Sequence, residues 1–261
     1  MPSHLIELSH LGGGVSRLQL NQPAKLNSLS MQLLQELGQQ LDVVAKDASI
    51  HVVILAAAGR VFCAGHDLKE VQGQLGDDQA QLALFQKCSQ VMQQLVQLSK
   101  PVIAQVQGVA TAAGCQLVAS CDLAVAAETA RFATPGVNIG LFCSTPMVAL
   151  SRNVNRKAAM EMLLTGELIS AAKAERLGLV NRVVADAELD AATLGLAQQI
   201  ASKSPKTLAI GKEAFYRQLE MPLAEAYAYT SEVMAANLAT LDAEEGICAF
   251  VEKRQPEWKG K

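Results

Sequence analysis

The sequence has no cysteines at the spacing of a disulfide framework or a zinc site. It contains no CxxC pair and no zinc-like Cys/His pattern, and most of its cysteines lie inside apolar runs. The six cysteines are at positions 63, 88, 115, 121, 143 and 248. We therefore expect reduced core thiols in a cytosol-like compartment.

Long apolar runs and basic patches are also missing. No run of 18 or more apolar residues occurs, and residues 1–8 lack the basic and apolar regions of a signal peptide. The net charge of −3, with aromatic residues at only 4% and no basic cluster among them, gives little attraction for phosphates. We expect a soluble cytoplasmic protein, or a mitochondrial-matrix protein if a presequence was removed, with no nucleic-acid or membrane partner.

What the chain does have is material for a large core, because 50% of its 261 residues are hydrophobic. Apolar runs with little alternation, typical of strands covered on both faces, lie at 52–58, 102–106, 123–126 and 180–184. Helical spacing separates them, after the N-cap candidate Ser30 and again before Pro101. This alternation predicts an α/β fold.

The second half of the chain is mainly helical from about Asn155 onward. Ser170 is a helix start signal, and Gly166 and Gly178 are stop signals. No linker, low-complexity tract or repeat interrupts the chain, so we expect one domain. It would consist of a core over 1–195 and a C-terminal helical region over 196–261.

Two loops that follow predicted strands, at 61–69 and 108–116, are rich in small residues. Small side chains leave backbone N–H groups accessible to a ligand, and the second loop is predicted to open a helix over 112–120. Two N–H groups converging on one oxygen would form an oxyanion hole. Taken alone, such loops are more often simply tight turns.

Four segments in order resemble the crotonase superfamily, also called the enoyl-CoA hydratase/isomerase superfamily. They are NQPAKLN at 21–27, AGHDLKE at 64–70, AAGCQLVASCDLAVA at 112–126 and AFVEKR at 249–254. The resemblance covers nearly the whole chain. It implies a ClpP-like α/β superhelix of ββα turns whose C-terminal helices form trimers, often paired into hexamers. It also implies an acyl-CoA partner, with no metal and no cofactor beyond coenzyme A itself.

The same resemblance implies a role for individual residues. The backbone N–H groups of His66 and Ala113 would form the oxyanion hole. Phe250 and Lys253 would contact the adenine and 3′-phosphate of CoA in a neighbouring subunit. Lys253 belongs to a short, locally basic C-terminal stretch with Arg254, Lys259 and Lys261, which by itself would be interpreted as a solvated tail. The CoA side of the site would be lined by Lys25, Leu26, Ala64, Asp67, Leu68 and Lys69.

Two departures from the family pattern affect the predicted chemistry. Hydratases of this family carry two glutamates, at the positions occupied here by Gln116 and Gly136. Each positioned acid or base contributes typically ~10²–10⁴ in rate, so efficient hydration is not expected. Ser144 lines up approximately with the nucleophile of family dehalogenases, although a helix N-cap is the simpler role. Cys143 and the His66 imidazole are further polar candidates.

Three functions stay open at this point. The chain is expected to be an enzyme of the hydratase/isomerase family that stabilises an acyl-CoA enolate. A malonyl-type acyl-CoA decarboxylase and a non-catalytic acyl-CoA binder are the alternatives. A ClpP-like peptidase is disfavoured, because no Ser/His/Asp arrangement accompanies these loops.

Overall fold

The computed structural model describes residues 4–261 of the chain. The strands β1 to β9 span Ile6–Gly12, Val15–Leu20, Val52–Ala57, Val102–Val106, Val109–Thr111, Leu123–Ala127, Arg131–Ala133, Ile169–Ser170 and Arg182–Val184. The helices α1 to α11 span Met31–Lys46, Leu68–Gly73, Asp78–Gln97, Ala113–Ser120, Ser144–Asn153, Arg156–Thr165, Ala171–Leu177, Leu189–Ala201, Pro205–Gln218, Leu223–Leu238 and Leu241–Glu252.

The strands form two sheets within the described residues. The larger has the order β1-β2-β3-β4-β6-β9, parallel except for the β1–β2 hairpin, and the smaller has the order β5-β7-β8. Two consecutive strands, β4 and β5, lie one in each sheet and are followed by a helix. The strands β6 and β7 repeat this arrangement. These are the ββα turns that the resemblance implied, and the predicted α/β class is confirmed.

Apolar layers cover both faces of the larger sheet, which explains why its strands read as continuous apolar runs. One face packs against the buried leucines of α1 and the apolar side of α3. The other face, including Ile54, Ile103 and Val125, packs against Leu196 and Ala197 of α8. The predicted boundary between 195 and 196 falls inside this helix.

Local signals placed four helix ends correctly. The side chains of Ser30 and Ser170 accept hydrogen bonds from Leu33 N and Lys173 N and so cap α1 and α7. Gly166 and Gly178 end α6 and α7 in the left-handed conformation, at φ 64° and 86°. The predicted strand at 180–184 is shorter, because Leu179 N still bonds back to α7 and pairing with β6 begins only at Arg182.

The cysteines are buried with one exception. Cys248 lies exposed on α11, so the expectation of core thiols is wrong for this residue. Several apolar side chains of the C-terminal helices, such as Tyr227, Met234 and Phe250, are also exposed. Over residues 4–261, no helix combines the length and the hydrophobicity needed to span a membrane.

Helix α9 is anchored to the core through a group that we call the Asp122 cluster: Asp122, Lys212 and Tyr216. The Lys212 ammonium lies 2.7 Å from Asp122 Oδ2 and also donates to the carbonyls of Leu95 and Lys100, at 3.0 and 3.1 Å. The Tyr216 hydroxyl donates to Asp122 Oδ1 at 2.9 Å. Burial lowers the pKa of Lys212, and the Asp122 carboxylate opposes that shift.

Candidate functional site

Backbone pairing outside the sheets brings the two small-residue loops together. Leu29 pairs with His66, and Cys63 pairs with Ala110, each as an isolated parallel bridge. Thr111 strengthens the contact, because its N–H donates to Cys63 O at 3.0 Å and its hydroxyl donates to Ala64 O at 3.2 Å. The loops at 61–69 and 108–116 therefore form one surface, as the resemblance implied.

The glycines of these loops allow an unusually close approach. A Cβ added to Gly114 would lie 2.2 Å from Cys63 O. Gly65 has φ +95°, and a Cβ there would lie 3.0 Å from Ala112 Cβ and 3.6 Å from Ala113 N. Larger residues would separate the loops, so the glycines hold residue 66 beside the start of α4.

The backbone N–H groups of His66 and Ala113 are both unpaired on this surface. Neither donates a hydrogen bond to another residue in the described part of the chain. Ala113 is the first residue of α4, where N–H groups have no partner within the helix. Ala112, just before it, has φ 50° and ψ −117°, an arrangement uncommon for a residue with a side chain and often found at functional sites.

The His66 imidazole packs edge-on against Phe85, with ring centroids 5.3 Å apart. Its Nδ1 lies 3.2 Å from the Leu29 carbonyl, which only accepts, so Nδ1 carries the proton of the neutral ring. Nε2 is buried and has no hydrogen-bond partner among residues 4–261. Burial lowers the pKa of His66 despite the bond to Leu29 and the nearby Glu70, and the neutral form is favoured.

Two more buried polar groups lie on the neighbouring segments. Gln116, one turn into α4, is 4% exposed, and its Oε1 has no partner in the region described. Thr134 is fully buried with its hydroxyl equally unpaired, and it follows Ala133, whose carbonyl accepts from Ala112 N–H at 2.9 Å. Thr134 was missed at the sequence level, since only the pairing of β5 with β7 reveals its position.

The residues expected on the CoA side lie together at one edge of this surface. Ala64 N–H donates to Leu26 O at 3.1 Å, and the Lys25 ammonium is 3.6 Å from the Asp67 carboxylate. Asp67 also caps α2 by accepting from Lys69 N and Glu70 N. Leu68 and Lys69 begin that helix and are exposed. Phe250 and Lys253 are exposed at the end of α11, away from these contacts.

Comparison with known proteins decides the family. A family model described as enoyl-CoA hydratase/isomerase matches residues 10–261. The chain belongs to the enoyl-CoA hydratase/isomerase family.

Individual relatives agree with this assignment. Human enoyl-CoA hydratase domain-containing protein 3, mitochondrial, is 49% identical over 94% of this chain and 80% of its own length. A crystal structure of that human protein has a TM-score of 0.94 at 48% identity, covering 97% of this chain and all of the other. A crystal structure of an enoyl-CoA hydratase from Mycobacterium smegmatis has a TM-score of 0.95 at 51% identity, covering 97% and 98% of the two chains.

In this member of the enoyl-CoA hydratase/isomerase family, the position expected for the second glutamate is crowded. Gly136 is buried, and a Cβ there would lie 2.6 Å from Leu141 O and 2.9 Å from Cys143 Sγ. The 3-10 turn Pro135–Ile139 folds back through Leu141 N–H, which donates to Gly136 O at 2.9 Å. Restoring a glutamate therefore requires this turn to move, and Gln116→Glu with Gly136→Glu is not a simple graft.

The crowding at Gly136 gives a stability prediction. Gly136→Ala is expected to lower the free energy of unfolding by about 1–3 kcal/mol, the usual cost of overpacking. Gly195→Ala is the matched control, because nothing lies within 4 Å of its added Cβ on α8 and helix propensity favours alanine. Urea denaturation of both variants measures the difference. Equal urea midpoints for the two variants would show that the turn Pro135–Ile139 accommodates the added methyl group without loss of stability.

Ser144 does not cap α5. It is the first residue of that helix, and the N-cap is Cys143, whose side chain makes no capping bond. The exposed Ser144 hydroxyl instead donates to Phe142 O at 3.3 Å. The N-cap interpretation is wrong by one residue, because the turn that holds Cys143 against Gly136 sets where the helix begins.

Proposed function

We propose that this protein binds an acyl-CoA thioester with its carbonyl oxygen between the N–H groups of His66 and Ala113, and stabilises its enolate without the hydratase carboxylates. The unpaired state of those two N–H groups, on loops in contact at Gly65, carries the proposal. Ala113 is fully buried, and a buried N–H group is rarely left without a partner. An oxyanion hole requires two free donors that can reach one oxygen, and the contact between the loops brings these two segments together.

The charge at the edge of the site suits the rest of the ligand. Lys25 and Lys69 supply cations near the start of α2, where phosphate groups of CoA would be attracted. Phe250 and Lys253 would reach the CoA of a neighbouring copy. The exposed apolar side chains of α9, α10 and α11 support such self-association, as a trimer or a pair of trimers. The proposal involves no metal and no cofactor apart from this CoA.

Binding would require the site to open, because Ala113 is fully buried. The short helix α2 has no buried residue and carries Leu68, which is 57% exposed, directly after the His66 loop. Segments with few buried contacts open at low cost in free energy. Helix α2 is therefore the element that we expect to move as an acyl group enters.

The absence of both carboxylates favours a reaction that needs no base. Loss of CO₂ from a malonyl-type thioester creates the enolate directly, so oxyanion stabilisation alone lowers its barrier. The neutral amide of Gln116 would bond to the substrate carboxylate without repelling it. A malonyl-type decarboxylase is the second candidate function on this ground, and a non-catalytic binder would share the same site.

The proposal predicts that affinity depends on the thioester carbonyl. Butyryl-CoA and its thioether S-butyl-CoA differ in that oxygen alone, and calorimetry compares their binding. Two hydrogen bonds of about 0.5–1.5 kcal/mol each should make butyryl-CoA bind roughly tenfold more tightly or better. Equal affinities would contradict the oxyanion role. Mass analysis of malonyl-CoA and crotonyl-CoA after incubation then separates decarboxylase, hydratase and binder, with slow hydration expected.

The cellular compartment of this chain is also a proposal. The relative from Homo sapiens is named a mitochondrial protein. We propose the cytoplasm for this chain, or the mitochondrial matrix if a presequence precedes the mature protein.

A further inference from the structure

The Cys143 thiol occupies the space next to Gly136 in which a side chain at that position would begin. Gly136 N–H donates to Cys143 Sγ at 3.3 Å, and the sulfur lies 2.9 Å from the point where a Cβ of residue 136 would stand. Cys143 is 7% exposed, so the thiol is held in place rather than mobile on the surface. It lies where the family's second carboxylate is expected.

Buried, unpaired polar side chains lie on both segments next to this thiol, on α4 and on the residues just before Gly136. Cys115 is close enough for Cys143 to raise its pKa, and the next residue, Gln116, is 4% exposed with a partnerless Oε1 in the described structure. Thr134, two residues before Gly136, has a buried hydroxyl that also lacks a hydrogen-bond partner among residues 4–261. Buried polar atoms without partners point to a ligand or water between them.

We propose that Cys143 is a catalytic residue whose thiol donates a proton to the α-carbon of the bound enolate. This inference rests on the proposed function. The S–H bond breaks as the enolate electron pair forms a C–H bond, the thioester carbonyl is restored, and the thiolate takes a proton from water. Burial raises the pKa of Cys143, although the bond from Gly136 N–H opposes that, so the thiol is protonated at neutral pH.

An affinity label tests the position of the sulfur. Bromoacetyl-CoA, with its carbonyl in the oxyanion hole, places an electrophilic α-carbon beside Cys143. The sulfur would displace bromide, lose its proton to solvent and leave a thioether at Cys143 that peptide mass mapping locates. Excess acetyl-CoA should suppress the label at least tenfold. Cys143→Ala should abolish it, whereas Cys88→Ala, which removes a fully buried thiol in α3, should not.

Deuterium exchange tests the proton transfer. The reverse of the donation step removes an α-proton, so acetyl-CoA in deuterated water should gain deuterium in the presence of the protein. Cys143→Ala should slow this by roughly 10²-fold or more, and Cys143→Ser by less. If Cys143→Ala exchanges as fast as the wild type, or if the wild type shows neither label nor exchange, the inference is wrong. A retained preference for butyryl-CoA over S-butyl-CoA would leave the proposed function standing, and loss of that preference would overturn both.

Discussion

Replacing Ala113 by proline is expected to abolish the preference for butyryl-CoA over S-butyl-CoA and to lower any enolate-forming turnover by about 10²–10³-fold, the cost of one oxyanion donor. Proline has no N–H, and the first position of a helix tolerates it because its N–H has no helical partner. Ala113 holds that position in α4. The variant removes the donor without removing a hydrogen bond of α4. Ala112, at φ 50° and ψ −117°, must turn toward the extended conformation that a residue before proline requires, so the fold of the variant is part of the test.

Arg156→Pro provides the matched control for this experiment. Arg156 is the exposed first residue of α6, and Asn155 before it is extended, as a residue preceding proline should be. It should leave both affinities unchanged. Circular dichroism shows whether each variant folds. A folded Ala113→Pro protein that still prefers butyryl-CoA would show that the carbonyl binds elsewhere. Gly65→Ala gives an independent check, because its Cβ would lie 3.0 Å from Ala112 Cβ and 3.1 Å from the Thr111 carbonyl and so push the two loops apart.

The parts of the fold that local sequence determines were predictable. Strands buried on both faces gave continuous apolar runs, and Ser30, Ser170, Gly166 and Gly178 marked helix ends through their own backbone and side-chain chemistry. The same holds for the two small-residue loops, since Gly65 and Gly114 are needed for a contact between them. The capping serines bond to backbone N–H groups three residues further along the chain, and Gly114 lies against a backbone carbonyl.

The site details that depend on tertiary packing were not predictable. The sequence has Gly136 where the resemblance implies a second glutamate, but the Leu141 carbonyl and the Cys143 thiol that crowd this position come from a turn that folds back on itself. Residue spacing alone gives no distance between 136 and 143. The position of Thr134 near the start of α4 follows only from the pairing of β5 with β7. The exposure of Cys248 depends on how the last helices pack.

Replacing Lys212 by methionine is expected to cost about 3–5 kcal/mol in the free energy of unfolding, because it leaves one member of a buried ion pair uncompensated. Lys212 and Asp122 have side-chain exposures of 7% and 16%. Methionine keeps most of the aliphatic volume but leaves the carbonyls of Leu95 and Lys100 without this donor. Urea unfolding at a fixed protomer concentration measures the loss, since self-association would otherwise shift the midpoint.

The matched control and a second variant separate charge pairing from general damage to α9. Lys206→Met removes an exposed lysine from the same helix and should change stability by no more than about 0.5 kcal/mol. Combining Lys212→Met with Asp122→Asn should recover part of the loss, because no buried charge is left unpaired. The single amide oxygen can still accept from Val102 N–H, and the amide NH₂ can donate to the Tyr216 hydroxyl, which also acts as an acceptor. If Lys212→Met is as mild as Lys206→Met, the Asp122 cluster does not hold the C-terminal helices on the core. A large loss with partial recovery in the double variant would mean that the position of α9, and with it the surface that carries Phe250 and Lys253, depends on this one buried ion pair.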